Sequence, residues 1–191
     1  MDYKISITGD LGSGKTTVCK LLCTQLSCER YSTGTVVREL ADKMGMPIHE
    51  LNAYIEDHPD IDIKIDSDVE KMKDIAGSLI VDSRMAWHFL GKGWFSVYLS
   101  VDIETAAERI MGAHRKTEQY ADRKTAVKNL IARRNSENLR YKTLYGKDNT
   151  DLSNYNIVIN TSGLSPEQVA EHILANYKLW KEGKTFPHEL A

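Results

Sequence analysis

Eight residues near the start of the chain constrain it more than any other feature. Gly9-Asp10-Leu11-Gly12-Ser13-Gly14-Lys15-Thr16 satisfies G-x-x-x-x-G-K-[ST] at every fixed position. Residues 3 to 8, Tyr-Lys-Ile-Ser-Ile-Thr, read as a short strand rich in β-branched residues, and a helical stretch follows to about Leu26. A strand that enters and a helix that leaves give the motif its working context. The glycines permit positive φ and close backbone approach. The loop's N–H groups and the helix N-terminus then face an anion. Gly9 to Thr16, with Thr17 behind them, are the candidate ATP-binding residues. Lys15 bridges the β- and γ-phosphates in this reading, and the Thr16 hydroxyl is a hard oxygen ligand for Mg²⁺. The alternative is a glycine-rich turn with a chance lysine, which the flanking strand and helix argue against.

The rest of the chain narrows what is done with the triphosphate. It has 191 residues, enough for one domain with an inserted subdomain. The guanine-reading N-K-x-D of signalling GTPases is absent. Asp74-Ile-Ala-Gly77 fits their D-x-x-G but precedes a strand instead of following one. Large motor ATPases need more chain. A small phosphotransferase remains. The net charge is -2, so no global positive field draws the chain to nucleic acid or an anionic membrane. The longest apolar runs are too short to span a bilayer. The N-terminal residues lack a signal peptide's hydrophobic core, and a cytoplasmic location is the expectation.

The strand and helix pattern alternates. Strands are expected at 29–32, 78–81, 95–101 and 156–160, and helices near 35–45, 48–57, 61–76, 103–113 and 122–144. A further helix starts at Ser165-Pro166-Glu167-Gln168, with Ser as cap and Pro in the first turn. Such alternation argues α/β with a parallel sheet. The tail, 181–191, shows no period. Cys19, Cys23 and Cys28 are expected as buried thiols, since no paired Cys or His motif downstream completes a zinc site. His49, His58, His88 and His114 show no ligand spacing. Trp94, Phe95 and Tyr98 read as core. Trp180 and Phe186 dock onto the domain or onto a second subunit.

Charge is segregated. Residues 109–147 carry six arginines and five lysines against three carboxylates, a net +8, while residues 47–82 carry three lysines against ten carboxylates, a net -7. One block suits polyphosphate, and the other could accept hydrogen bonds from a base. Two elements point to a phosphorylated acceptor. In Ser32-Thr33-Gly34-Thr35-Val36-Val37-Arg38 the glycine allows a tight helix entry, with Arg38 four residues on. Asp82-Ser83-Arg84 follows a strand directly. A carboxylate there, beside a phosphate loop, is placed to hold Mg²⁺. Arg38 and Arg84 together make a planar clamp for one phosphate.

With these pieces in order, the chain resembles the nucleoside monophosphate kinases, most closely the short cytidylate kinases of archaeal type and their bacterial relatives. The resemblance covers roughly residues 3–175. It rests on the phosphate loop, Ser32 to Leu40, Pro59-Asp60-Ile61-Asp62, Asp82-x-Arg84 and Ala107-Glu108-Arg109-Ile110. Arg134-Asn-Ser-Glu137-Asn-Leu-Arg140-Tyr141 and the run from Tyr145-Gly146 to Ser162 complete it. Where many relatives carry Glu-Gly-Arg or Asp-Gly-Arg, this chain has Asp82-Ser83-Arg84. The resemblance implies a P-loop NTPase fold, three layers α/β/α around a five-stranded parallel sheet in the order 2-3-1-4-5. It implies a nucleotide-binding insertion near 35–76, an Arg-rich lid near 112–134, and a core of 1–34, 77–111 and 135–180.

The implied reaction is ATP plus CMP or dCMP giving ADP plus CDP or dCDP, with Mg²⁺. The alternatives are another small kinase with a different acceptor, or a nucleotide-binding regulator without turnover. ATP and a nucleoside monophosphate are the implied partners of a monomer or homodimer. Lys15, Arg115, Arg134 and Arg140 are the charge-neutralising set. Arg134 and Arg140 are six apart, about 600° of helix, so one serves the donor and the other the acceptor. Arg109 lies against the adenine by analogy with adenylate kinases. On the acceptor side stand Ser32, Gly34, Arg38 and Arg84, with Asp62 or Asp66 reading the base. A carboxylate is the natural acceptor for cytosine's exocyclic amine.

Overall fold

The structure is a computed structural model and describes residues 2–113 and 118–190. The elements run β1 (Lys4–Gly9), α1 (Lys15–Leu26), β2 (Glu29–Ser32), α2 (Thr33–Met44), α3 (Ile48–Glu56), α4 (Pro59–Glu70) and β3 (Leu79–Asp82). There follow α5 (Ala86–Leu90), β4 (Phe95–Ser100), α6 (Ile103–Gly112), α7 (Arg123–Tyr145), β5 (Ile157–Asn160), α8 (Pro166–Lys181) and β6 (Glu189–Leu190). The Ser165 start is capped as its sequence indicates. Its hydroxyl accepts from the Gln168 N–H while the Gln168 side chain accepts from the Ser165 N–H.

All strand pairings are parallel, and the sheet order is β2-β3-β1-β4-β5-β6. The five-stranded order expected from the resemblance is present, with one strand added. The tail turns at Gly183, and Trp180 and Phe186 pack on Phe95 at ring separations of 5.4 and 5.8 Å. This lays Glu189 beside Val158 and Leu190 beside Ile159. Two residues are too few to show a period of two, which is why the strand escapes a sequence reading.

Alternation along the strands divides the core. Ile5, Ile7, Ile80, Phe95, Val97, Leu99, Ile157 and Ile159 form one cluster with residues of α1 and α8. Leu79 and Val81 turn the other way, onto Val69 of α4 and onto Ala86 and Leu90 of α5. Both faces are therefore covered, as an all-parallel sheet requires. Trp94, Phe95 and Tyr98 are buried, as expected of core residues. Of the cysteines only Cys19 is buried; Cys23 and Cys28 are half-buried, where α1 hands over to β2. The end of α4 also differs from expectation. It stops at Glu70 and not at 76, and a turn over 71–74 carries the chain toward β3. The short α5 was not expected.

Candidate functional site

β1 lies between β3 and β4, so the order reverses beside it and the crevice opens beyond its C-terminal end. The loop Gly9–Thr16 fills that place. Two of its glycines are compelled. A Cβ on Gly9 (φ 144°) would stand 2.1 Å from the Leu99 carbonyl oxygen, and one on Gly12 (φ 78°) 2.7 Å from Ala106 Cα. Thr161 braces the loop by donating its hydroxyl to the Ser13 carbonyl at 3.1 Å. Arg109 in turn donates to the Thr161 carbonyl at 2.7 Å.

Lys15 curls into the loop and donates to the Gly9 carbonyl at 2.8 Å and to the Asp10 carbonyl. Burial, and next the nearby Arg84 guanidinium, push its ammonium down to about 7. A dehydrated cation beside a second cation is a site short of negative charge.

Strand register assembles the opposite wall. Ser32 pairs with Asp82 across β2 and β3, and Asp82 pairs with Ile7 of β1. The Ser32 hydroxyl donates to Asp82 Oδ2 at 3.1 Å. Two residues on, Arg84 reaches back to the loop, with Nη1 2.9 Å from the Gly9 carbonyl and Nε 2.8 Å from Glu137 Oε2. Glu137 also accepts from Arg133 Nε at 2.8 Å. Arg133 extends to Glu118 at 3.2 Å. Burial would raise the Glu137 carboxyl, but the two guanidiniums overcome it and hold it down at about 2.

An open cleft of about 890 Å³ lies between these walls. Lys15, Thr16 and Thr17 line it with Leu11, Gly12 and Gly14 from the loop side; Gly34, Arg38, Asp82 and Arg84 line it from the strand side. Asp62 and Arg140 also line it, joined Nε to Oδ2 at 2.7 Å. Burial raises the Asp62 carboxyl, although Arg140 opposes the shift.

The remaining candidates lie elsewhere. Asp66 sits one turn from Asp62, buried, and accepts from the Tyr145 hydroxyl at 2.9 Å. Ser13 and Arg109 border a second cleft of about 780 Å³ with Gly12, Thr17, Leu164 and Pro166. Gly9, Asp10 and Arg134 border a narrow seam behind the loop. Arg115 and His114 lie outside the described residues.

The cleft also contains Arg133, Glu137 and Asn52, which the sequence reading did not name as site residues. A signal for two of them existed. Arg133, Glu137 and Arg140 are spaced i, i+4, i+7 and share one helical face. Arg134, one residue off that face, turns to the seam instead.

Thr16 and Asp82 offer hard oxygen donors at one mouth of the cleft. Among the described residues no group of three or more His, Cys, Asp or Glu side chains could hold a metal. That donor set suits Mg²⁺, which keeps several waters and takes one or two protein oxygens with substrate phosphates. No helix among the described residues is long and apolar enough to cross a membrane.

The sequence profile of the cytidylate kinase-like family matches residues 4–163. A cytidylate kinase of Sulfolobus acidocaldarius is 37% identical over 172 residues, which is 90% of this chain and 92% of that protein. One from Sulfurisphaera tokodaii is 36% identical over 180 residues, 93% of this chain and 97% of that protein. Among solved structures, a shikimate kinase from Bacteroides thetaiotaomicron superposes with a TM-score of 0.60 at 16% identity, covering 94% of this chain and 98% of its own, a likeness of fold alone. The chain thus belongs to the cytidylate kinase-like family and is a nucleoside monophosphate kinase.

Proposed function

We propose that this kinase transfers the γ-phosphoryl group of ATP to CMP or dCMP. The observation that carries the reading is that one cleft is lined by Lys15 and Thr16, by Arg38 and Arg84, and by the buried Asp62–Arg140 pair. Cytosine presents an amine donor beside a ring nitrogen and a carbonyl that accept. A carboxylate next to a guanidinium offers the matching acceptor and donors.

The donor's triphosphate lies on the loop in this reading, with its base toward the cleft bordered by Arg109, Thr161 and Pro166. Thr16 and Asp82 would hold Mg²⁺, which would supply charge neutralisation at the phosphates. The acceptor's phosphate is already an anionic nucleophile, so the protein needs no strong general base. Its task is positioning and neutralisation of charge on the transferring group. Lys15 meets the donor's terminal phosphates, and the anion relieves the deficit that holds its ammonium low. Arg38, Arg84 and Arg133 orient the acceptor phosphate. Glu137 keeps Arg84 and Arg133 fixed between turnovers. Asp66 holds Tyr145 by accepting its hydroxyl hydrogen. Arg140 serves the acceptor's base and not the phosphates, and Arg115 in the lid is assigned to the phosphates. A monomer or homodimer acting in the cytoplasm fits the reading.

ADP release measured with ATP, Mg²⁺ and each of CMP, dCMP, UMP, AMP and GMP tests it. Turnover is expected with CMP or dCMP above the others. A preference for any other base contradicts the assignment.

A further inference from the structure

Asp10 carries a carboxylate in a loop whose N–H groups and lysine gather around an anion. The carboxylate is well enclosed, with its side chain 12% exposed, and is held from behind. The Tyr98 hydroxyl donates to Oδ1 at 2.9 Å, and the Val101 N–H donates to Oδ2 at 3.2 Å. These neutral donors anchor the carboxylate without cancelling its charge. The cation beside it is Arg134, whose Nη1 lies 3.3 Å from Oδ1. Arg134 is half-exposed and borders the seam with Asp10, while its neighbour Arg133 turns into the main cleft. The charge of Asp10 reaches the loop's interior, since it is one of the groups that favour the charged form of Lys15.

A fixed negative charge there repels a triphosphate over the few ångströms that separate loop atoms, a range that salt screens poorly. We propose that Arg134 is a positioning residue that acts through Asp10: it cancels the carboxylate's charge so that the donor's phosphates can occupy the loop, and it does not itself contact them. The proposal rests on the reading that this loop takes ATP. It replaces a role for Arg134 at the transferring phosphates with an indirect one, and makes Asp10 and Arg134 a matched pair.

A double-mutant cycle on the whole enzyme tests it. R134Q is expected to raise KM for ATP about three- to tenfold, with a much smaller change in kcat. In the D10N background the same R134Q change is expected to alter KM for ATP by less than about twofold, because no charge remains to cancel. R134K, which keeps the charge, is expected to stay within about twofold of wild type. Arg134 is half-exposed, and R134K reports charge separately from any loss of packing. An equal cost of R134Q in both backgrounds overturns the proposal and places Arg134 directly on the phosphates. A silent R134Q overturns it too. Absence of saturation by ATP in the wild type would instead sink the donor assignment itself.

Discussion

Asp62 and Arg140, 78 residues apart in sequence, meet at 2.7 Å with both side chains more than nine-tenths buried. Arg140 is further tied to the Ser136 hydroxyl at 2.8 Å. The pair joins the acidic α4 to the basic α7, so the two oppositely charged blocks of the sequence are brought together in the lining of the cleft. Desolvating two charges is costly, and such a pair is weak evidence of stabilisation by itself. Its place in the lining of the cleft is the basis of the proposed base reading.

Asp62→Asn should therefore lower the ratio of kcat/KM for CMP to that for UMP by about tenfold or more, because the amide offers a donor where cytosine needs an acceptor. Steady-state kinetics with both monophosphates check this. An unchanged ratio would place base reading elsewhere.

Glu137 is the anchor of the arginine cluster. Glu137→Gln leaves Arg84 and Arg133 without a buried counter-charge and should cost about 3–5 kcal/mol of unfolding free energy at pH 7. The carboxyl is held down at about 2 in the folded state. Its stabilising contribution is thus present above the ordinary carboxylate range and is lost as pH falls through about 2. Urea unfolding of wild type and variant should show a gap that is full at pH 6–7 and narrows below pH 4.

Asp66 behaves in the opposite sense. Burial, the dominant cause, pushes its carboxyl up to about 7. The folded state then binds this proton more tightly than the unfolded state, so stability falls as pH rises from about 4 to about 7. Asp66→Asn keeps an acceptor for the Tyr145 hydroxyl and removes that slope. Relative to wild type the variant should gain up to roughly 4 kcal/mol between these limits. Melting temperatures of the two proteins that run parallel across this range would refute it.

In the proposed mechanism, Lys15→Ala removes an interaction that strengthens as charge spreads in the transition state. kcat should fall about 10²-fold or more. The loop backbone should stay in place, since Thr161 braces Ser13 independently. Wild-type turnover would exclude Lys15 from the chemistry.

What could be read from the sequence was what is encoded locally. The phosphate loop, the capping box at Ser165 and Gln168, and the alternation of buried strands lie within a few residues each. The partner of a side chain across the fold was not legible. Nothing near Arg84 announces Glu137, 53 positions away. Helical spacing placed Arg134 and Arg140 off a common face, yet the complementary step, that Arg133 shares the face of Arg140, needed only the neighbouring residue. The tail's strand and α5 are shorter than the periods by which strands and helices are recognised. Asp62 and Asp66 looked equivalent at i, i+4, and only tertiary packing separates one that borders the cleft from one bound to Tyr145.

The proposed reaction requires the cleft to select cytosine over uracil. Equimolar CMP and UMP in one reaction, with limiting ATP and chromatographic separation of the products, reads the ratio of kcat/KM directly. CDP is expected in at least about tenfold excess over UDP. Equal amounts, or an excess of UDP, would contradict it.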